Sequence, residues 1–193
     1  QGTSPLIGKI GERILDERFT LIDDSTQPWV PASSPSDDEC VPSQRLPLIE
    51  RGRVGMFLYD LQTAGLADTQ STGSGERGLG SLPSPTSGVL SVGLGDRTID
   101  EMIADTTEGL IVERLLGAGQ GNVLGGDFNA NVLLAYKVEN GSVTGRVKNT
   151  MISGNAYKAL NNLIAIGKEG RWVRGGLFTP AVALEDVSVS ATG

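Results

Sequence analysis

Apolar residues along this chain fall into short runs, and the spacing inside each run predicts an element. Ser4-Pro5 reads as an N-cap followed by Pro at the first helical position. Leu6, Ile7, Ile10, Ile14 and Leu15 then repeat at helical spacing, which predicts a short helix weakened by Gly8 and Gly11. Phe19–Asp23 reads as a strand, Leu48–Val54 as a hairpin turning at Arg51-Gly52, and Val54–Tyr59 as its continuation. Leu61–Leu66 suits one or two helical turns, and Val89–Leu94 a strand. Thr98-Ile-Asp-Glu101 is a capping box, in which the hydroxyl and the carboxylate each satisfy the other's backbone donor. It opens a helix with an apolar face of Ile99, Met102, Ile103 and Thr106, with Gly109 as its C′ residue. Leu110–Leu116 is β-branched and short, so it predicts a strand. Asn140-Gly141 lies between the apolar runs Val132–Val138 and Val143–Val147, which specifies a type I′ hairpin. Ser153–Ile164 returns to helical spacing, closed by Gly167, and Leu177–Pro180 and Val182–Val189 read as final strands.

These elements predict an α+β domain over residues 1–193, β-rich, with antiparallel or mixed sheets, hairpins, about nine short strands and about three helices. Two stretches interrupt the pattern. Asp24–Pro47 holds five prolines and the acidic run Asp37-Asp38-Glu39, and is too long for an ordinary connection, so it is functional or poorly ordered. Thr69–Gly88 is nearly all Ser, Thr, Gly and Pro; it predicts a mobile loop over 68–88 that buries nothing. The 27 Gly are about twice ordinary usage, which fits a turn-rich chain.

Charge and composition remove several chemistries. With no His, the chain has no imidazole base, no Ser-His or Cys-His pair and no His-ligated metal. One Cys excludes a four-ligand Cys/His zinc site and a disulfide framework. A formal net charge of −7 argues against a general grip on nucleic acid or an anionic membrane. No apolar run reaches the roughly 20 residues of a membrane span and no signal-peptide pattern opens the chain, so a cytoplasmic location is the expectation. The opening Gln1-Gly2, without Met, reads as a cut point in a larger protein.

Four constellations offer a site, each with a plainer alternative. Gly117-Ala-Gly119-Gln-Gly121 has its third Gly one residue early for a dinucleotide loop and no helix after it, so a turn between strands is favoured. Asp37-Asp38-Glu39-Cys40 has neither the spacing of a calcium loop nor a His to activate the thiol, and an ordered acidic loop is favoured. Gly125-Gly-Asp127-Phe128-Asn129 marks a tight turn or bulge whose polar side chains could meet a ligand. Ser153-Gly154-Asn155 opens a predicted helix and offers either an anion-binding N-terminus or simple capping by Ser153.

Taken in order, these motifs resemble those of the carboxyl-terminal half of TldD/TldE (PmbA) proteins. The resemblance runs through Leu21-Ile-Asp-Asp24, Asp37-Asp-Glu39 with Pro42, Leu48-Ile-Glu-Arg-Gly52 and Leu58-Tyr-Asp60. It continues through Ser71-Thr-Gly73, Pro83-Ser-Pro85, Gly109 to Gly117, Gly126-Asp-Phe128, Val138-Glu-Asn-Gly141 and Ile152-Ser-Gly-Asn155. It implies a metallopeptidase system in which the zinc motif lies in the amino-terminal half and a late Cys supplies a third ligand. Residues 167–180 hold no Cys, which resembles the TldE/PmbA branch that lacks zinc. Two departures stand out: Cys40 occupies a position usually Gly, and Asn129-Ala-Asn131 replaces Ser-Arg-Gly.

The implied role is a non-zinc subunit domain that completes a peptide-holding chamber. It would pair with a TldD-like partner that carries the zinc, or form a homodimer in isolation. Asp127, Phe128, Asn129, Ser153, Gly154 and Asn155 are the candidate peptide- or partner-binding residues, with no catalytic or metal-ligating residue assigned. The alternative is a non-enzymatic regulator that presents Asp37, Asp38 and Glu39 to DNA gyrase.

Overall fold

The structure, a computed structural model, describes residues 4–119 and 121–191. Gln1, Gly2 and Gln120 lie outside them. Two sheets form the body. The first has six strands in the order β11 (Leu163–Val173), β12 (Leu177–Leu184), β6 (Leu90–Val92), β1 (Leu21–Asp24), β2 (Arg45–Glu50), β3 (Arg53–Val54). Its pairs are antiparallel except β12 with β6. The second runs β13 (Ser188–Ala191), β10 (Thr150–Asn155), β8 (Asp127–Glu139), β7 (Glu108–Leu116), all antiparallel. On the edge opposite β7, the long β8 carries β10 along residues 127–132 and β9 (Ser142–Arg146) along residues 136–139. The short strands β4 (Gly75–Glu76) and β5 (Ser84–Pro85) pair separately. The three helices, α1 (Leu61–Leu66), α2 (Ile99–Ala104) and α3 (Ala156–Asn161), have six residues each. The α+β class is as the pattern predicts, with more strands, several of them only two residues long and β8 longer than the run that predicted it.

Both predicted tight hairpins form, and for the same reason. Arg51 and Gly52 have φ of 49° and 73°, and Asn140 and Gly141 have 48° and 76°, the paired left-handed conformations of a type I′ turn. At Gly52 a Cβ would sit 2.3 Å from the Leu15 carbonyl oxygen, so the turn can press against the chain before β1 only with Gly. The Thr98–Glu101 capping box forms as read from the sequence, with Asp105 rather than Gly109 closing the helix. Gly109 lies inside β7.

Other expectations fail for tertiary reasons. The predicted first helix does not form. Gly8 and Gly11 take φ of 73° and 82°, and the chain instead bridges Ile10 to Val54 and Arg13 to Arg53. Leu6, Ile14 and Leu15 still reach the core, whereas Ile7 and Ile10 stay exposed. The strand beginning at Arg53 ends at Val54 rather than continuing to Tyr59. The helix predicted from Ser153 begins at Ala156, because β8 pairs with residues 150–155 and β13 with residues 150–153, which makes the segment β10. Leu163 and Ile164 pass into β11, which also contains Gly167. The last strands likewise redraw, as β12 across Leu177–Leu184 and β13 across Ser188–Ala191.

The loop over 68–88 does bury something. Thr72 and Ser74 are buried, and their hydroxyls share a 2.9 Å hydrogen bond. The Thr72 hydroxyl also accepts the Tyr59 N–H at 2.8 Å. Small hydroxyl side chains fill space here that apolar residues fill elsewhere.

Candidate functional site

The structure brings together the two segments that supplied the candidate residues. Pairing of β8 with β10 sets Asn155 opposite Asp127, Gly154 opposite Phe128, and Ser153 opposite Asn129. Their duties differ. Asn155, not Ser153, caps α3: its side-chain oxygen accepts the Tyr157 and Lys158 N–H groups. Its amide nitrogen donates to the Gly125 carbonyl and to Asp127 Oδ1, both at 2.8 Å. Every polar atom of the Asn155 side chain is thereby engaged, and Asn155 is structural. Phe128 packs across Gly154, where a Cβ would lie 3.0 Å from the ring.

Asn129 and Ser153 lie on the same face as Asp127 and Asn155, two residues along each strand and opposite in side to Phe128 and Gly154. Residues opposite one another in a sheet share a face, and Asn129, Ser153 and Ser188 form one such row across β8, β10 and β13. The next row is Leu116, Asn131, Met151 and Ser190, all exposed. The opposite face is buried at Ala130, Val132, Thr150 and Ile152. The outer face at this corner therefore presents amides, hydroxyls, a thioether and the Leu116 side chain, with the Asp127 carboxylate in the row before Asn129. Beside it, a cleft of about 460 Å³ is lined by Asn131, Val132, Asn149, Thr150, Met151, Ser190 and Ala191. Among the described residues β13 pairs with β10 alone, so its outer edge carries unpaired backbone groups.

The acidic run forms a clasp. Asp37 Oδ1 accepts the N–H groups of Glu39 and Val41 at 3.0 and 2.9 Å, and its Oδ2 accepts that of Gly75 at 2.8 Å. Asp38 Oδ2 accepts the Arg77 N–H at 2.8 Å, and Glu39 Oε2 the Leu61 N–H at 2.7 Å. Three adjacent carboxylates thus diverge onto three segments instead of converging on an ion. Cys40 is exposed at φ 62°, a left-handed position that explains why a Gly is the easier residue there.

A second cleft, of about 360 Å³, lies between these loops and β1. Sequence reasoning missed it. Asp23, at its floor, is buried and accepts the N–H groups of Gly88 and Val89 at 3.0 and 2.9 Å. Burial pushes the Asp23 carboxyl above the ordinary carboxylate range, and the two N–H donors only partly oppose that shift. The available signal was an Asp inside the strand run Leu21-Ile-Asp, where a side chain facing inward must find donors.

A zinc site does not fit these residues. Among the described residues no group of three or more His, Cys, Asp or Glu side chains is placed to hold a metal, and the clasp carboxylates already serve backbone donors. We assign no step through a metal to this chain. No helix among the described residues is long and apolar enough to cross a membrane.

Known proteins share this fold. The chain is 29% identical over 204 residues to the metalloprotease TldD homolog of Haemophilus influenzae, covering 98% of this chain and 42% of that protein. The crystal structure of TldE from Thermococcus kodakarensis superposes with a TM-score of 0.86 at 31% identity, covering 98% of this chain and 43% of that one. A Thermotoga maritima protein described as a candidate modulator of DNA gyrase superposes with a TM-score of 0.85 at 28% identity, covering 97% and 42%. The chain therefore spans about two-fifths of the length of these relatives. The pattern of the PmbA/TldA metallopeptidase C-terminal domain matches residues 1–191, and the chain belongs to that family.

Proposed function

We propose that this domain is the peptide-holding part of a TldE-like, non-zinc subunit that works with a TldD-like metallopeptidase partner. The observation that carries the reading is the β8–β10–β13 corner. An unpaired strand edge there borders a polar face bearing Asn129, Asn131, Ser153, Ser188 and Ser190, with the Asp127 carboxylate one row away. An extended peptide adds to such an edge through main-chain hydrogen bonds, which do not read side-chain identity. The neighbouring amides and hydroxyls then meet polar groups of the peptide. Zinc chemistry belongs to the partner in this reading, in keeping with the donor set of this chain. Residues Asp127, Phe128, Gly154 and Asn155 act by holding the corner in shape.

Peptide hydrolysis measured with this chain, with a TldD-like protein, and with both together tests the assignment. Activity in the mixture well above that of either alone is the expected result. Zinc-dependent hydrolysis by this chain alone would sink the idea. The regulator reading, with Asp37–Glu39 imitating nucleic-acid phosphates, has weaker support, because those carboxylates already accept backbone N–H groups.

A further inference from the structure

The end of the β11–β12 hairpin, in the six-stranded sheet, carries side chains that the fold leaves open. Arg171 lies opposite Thr179, Trp172 opposite Phe178 and Val173 opposite Leu177. The chain then reverses at Arg174-Gly175, whose φ of 51° and 75° are those of a type I′ turn. The Phe178 ring lies over Gly170, where a Cβ would sit 2.4 Å from it, and Trp172 packs on Phe178 with ring centroids 5.3 Å apart. Trp172 is thereby braced on one side while 45% of it stays exposed. An exposed Arg stands on either side of it in the chain, each no more than about 7 Å away along an extended backbone. Arg171 donates one N–H to Glu113 of β7 at 3.1 Å, and Arg174 takes part in no ion pair among the described residues. Residues 168–174 hold three cations and a single carboxylate, Glu169, in a chain of net charge −7. A braced, open Trp between two Arg has the make-up of an interface anchor.

We propose that this hairpin end docks an acidic segment of a partner protein, one in which carboxylates flank an aliphatic residue. The carboxylates meet the Arg171 and Arg174 guanidinium groups, and the aliphatic side chain covers the open side of Trp172. Charge complementarity selects this occupant, because a local excess of cations on an acidic protein attracts carboxylates to that place and to few others. Each guanidinium presents a planar fork of donors that matches a carboxylate. The type I′ turn and the Phe178 brace hold the anchor in place beforehand, so little freedom is lost on docking. Bases of a nucleic acid could also stack on Trp172, but the net charge of −7 and the carboxylate of Glu113 at Arg171 oppose a continuous row of phosphates. The inference stands apart from the peptide-edge reading, since it concerns the other sheet and is measured on this chain alone.

Fluorescence anisotropy with labelled peptides decides it. The probes are Ser-Glu-Leu-Glu-Ser, its Glu-to-Gln counterpart, and Ser-Glu-Ser-Glu-Ser. Saturable binding of the first is expected, about ten-fold tighter than either control, and weakening with added salt. Arg174→Gln and Trp172→Ser should each weaken it about three-fold or more while leaving the far-ultraviolet circular dichroism spectrum unchanged, since both side chains are exposed. Lys137→Gln, which removes a cation of β8 paired with Glu139, should bind like the parent. Equal binding of the Gln peptide, no saturation by about 1 mM, folded Arg174 and Trp172 variants that bind like the parent, or equal weakening by Lys137→Gln would overturn the proposal. Displacement of the labelled peptide by a short oligothymidylate at lower concentration than by unlabelled peptide would overturn the protein-segment assignment in favour of nucleic acid.

Discussion

The two sheets of this domain are packed from different materials. The six-stranded sheet closes over Leu15, Phe19, Ile49, Val54, Leu163 and Ile166. The five-stranded sheet closes over Ala130, Val132, Ala135 and Ile152. Burial of a large side chain stabilises by about 1.5–3 kcal/mol and of a methyl group by under about 1 kcal/mol, so the first sheet holds most of the hydrophobic stabilisation. The second sheet is thin on its inner side and polar on its outer side at the β8–β10–β13 corner. That division suits a domain in which one sheet supplies rigidity and the other supplies a surface.

Substitutions that strike one sheet but not the other test this division. Matched truncations compare the two cores: Ile49→Ala should fall near the upper end of about 2–5 kcal/mol in urea unfolding, and Ile152→Ala, among alanines, near the lower end. Comparable losses at the two positions would erase the distinction. Gly52→Ala is next, at about 2–3 kcal/mol, because it combines a φ of 73° with a Cβ 2.3 Å from the Leu15 carbonyl oxygen. The matching type I′ turn at Gly141 meets the Ala104 carbonyl oxygen at 2.7 Å, so Gly141→Ala should cost less. Asp37→Asn removes a charged acceptor from three N–H groups and should cost about 2 kcal/mol. Hydrogen exchange in the same variant should quicken at Gly75 and its neighbours. In the parent, fast exchange is expected only across residues 78–84, the part of the loop beyond the clasp. Cys40→Gly relieves a left-handed φ of 62° and should raise stability by up to about 1 kcal/mol, read as a higher urea midpoint.

The smallest effect concerns pH. Arg18, hydrogen-bonded to Asp16, holds the Asp16 carboxyl below its ordinary 3.8, so its contribution is present above that value and fades as pH falls through the lower folded one. Asp23 runs the other way. Its folded value lies above 3.8, so the folded state binds the proton more tightly and stability declines as pH rises through that window. Unfolding of Asp23→Asn and Asp16→Asn between pH 3 and 6 should show slopes that depart from the parent in opposite directions. Parallel slopes would refute the assignment.

How much of this was legible in the sequence depended on where the decisive interactions lay. Turns written into two adjacent residues, Arg51-Gly52 and Asn140-Gly141, were readable because their φ angles follow from residue type. The Thr98–Glu101 cap was readable for the same local reason. The helix at Leu6–Leu15 was misread because its apolar spacing fits either a helix or an irregular segment bridging to Val54 and Arg53. Ser153 was misread as a cap because nothing nearby in sequence reveals that β8 and β13 flank it. Asp127–Asn129 and Ser153–Asn155 were singled out separately, and their adjacency is visible only through a pairing across more than twenty residues. The Asp23 cleft was least legible, since its walls come from four distant stretches of chain.

The long strand β8 has one more consequence, for the order of assembly. Its carboxyl-terminal half pairs with β9 across a two-residue turn, whereas its amino-terminal half waits for β10. Closing the tight hairpin requires little chain entropy, so the β8–β9 ladder can form early and the β10 and β13 ladders later. In the first sheet, β6 must find β1 across almost seventy residues and β12 across almost ninety. The β8–β10–β13 corner is therefore hung on a strand whose far end folds quickly, while the sheet that carries most of the hydrophobic core is the slower to close.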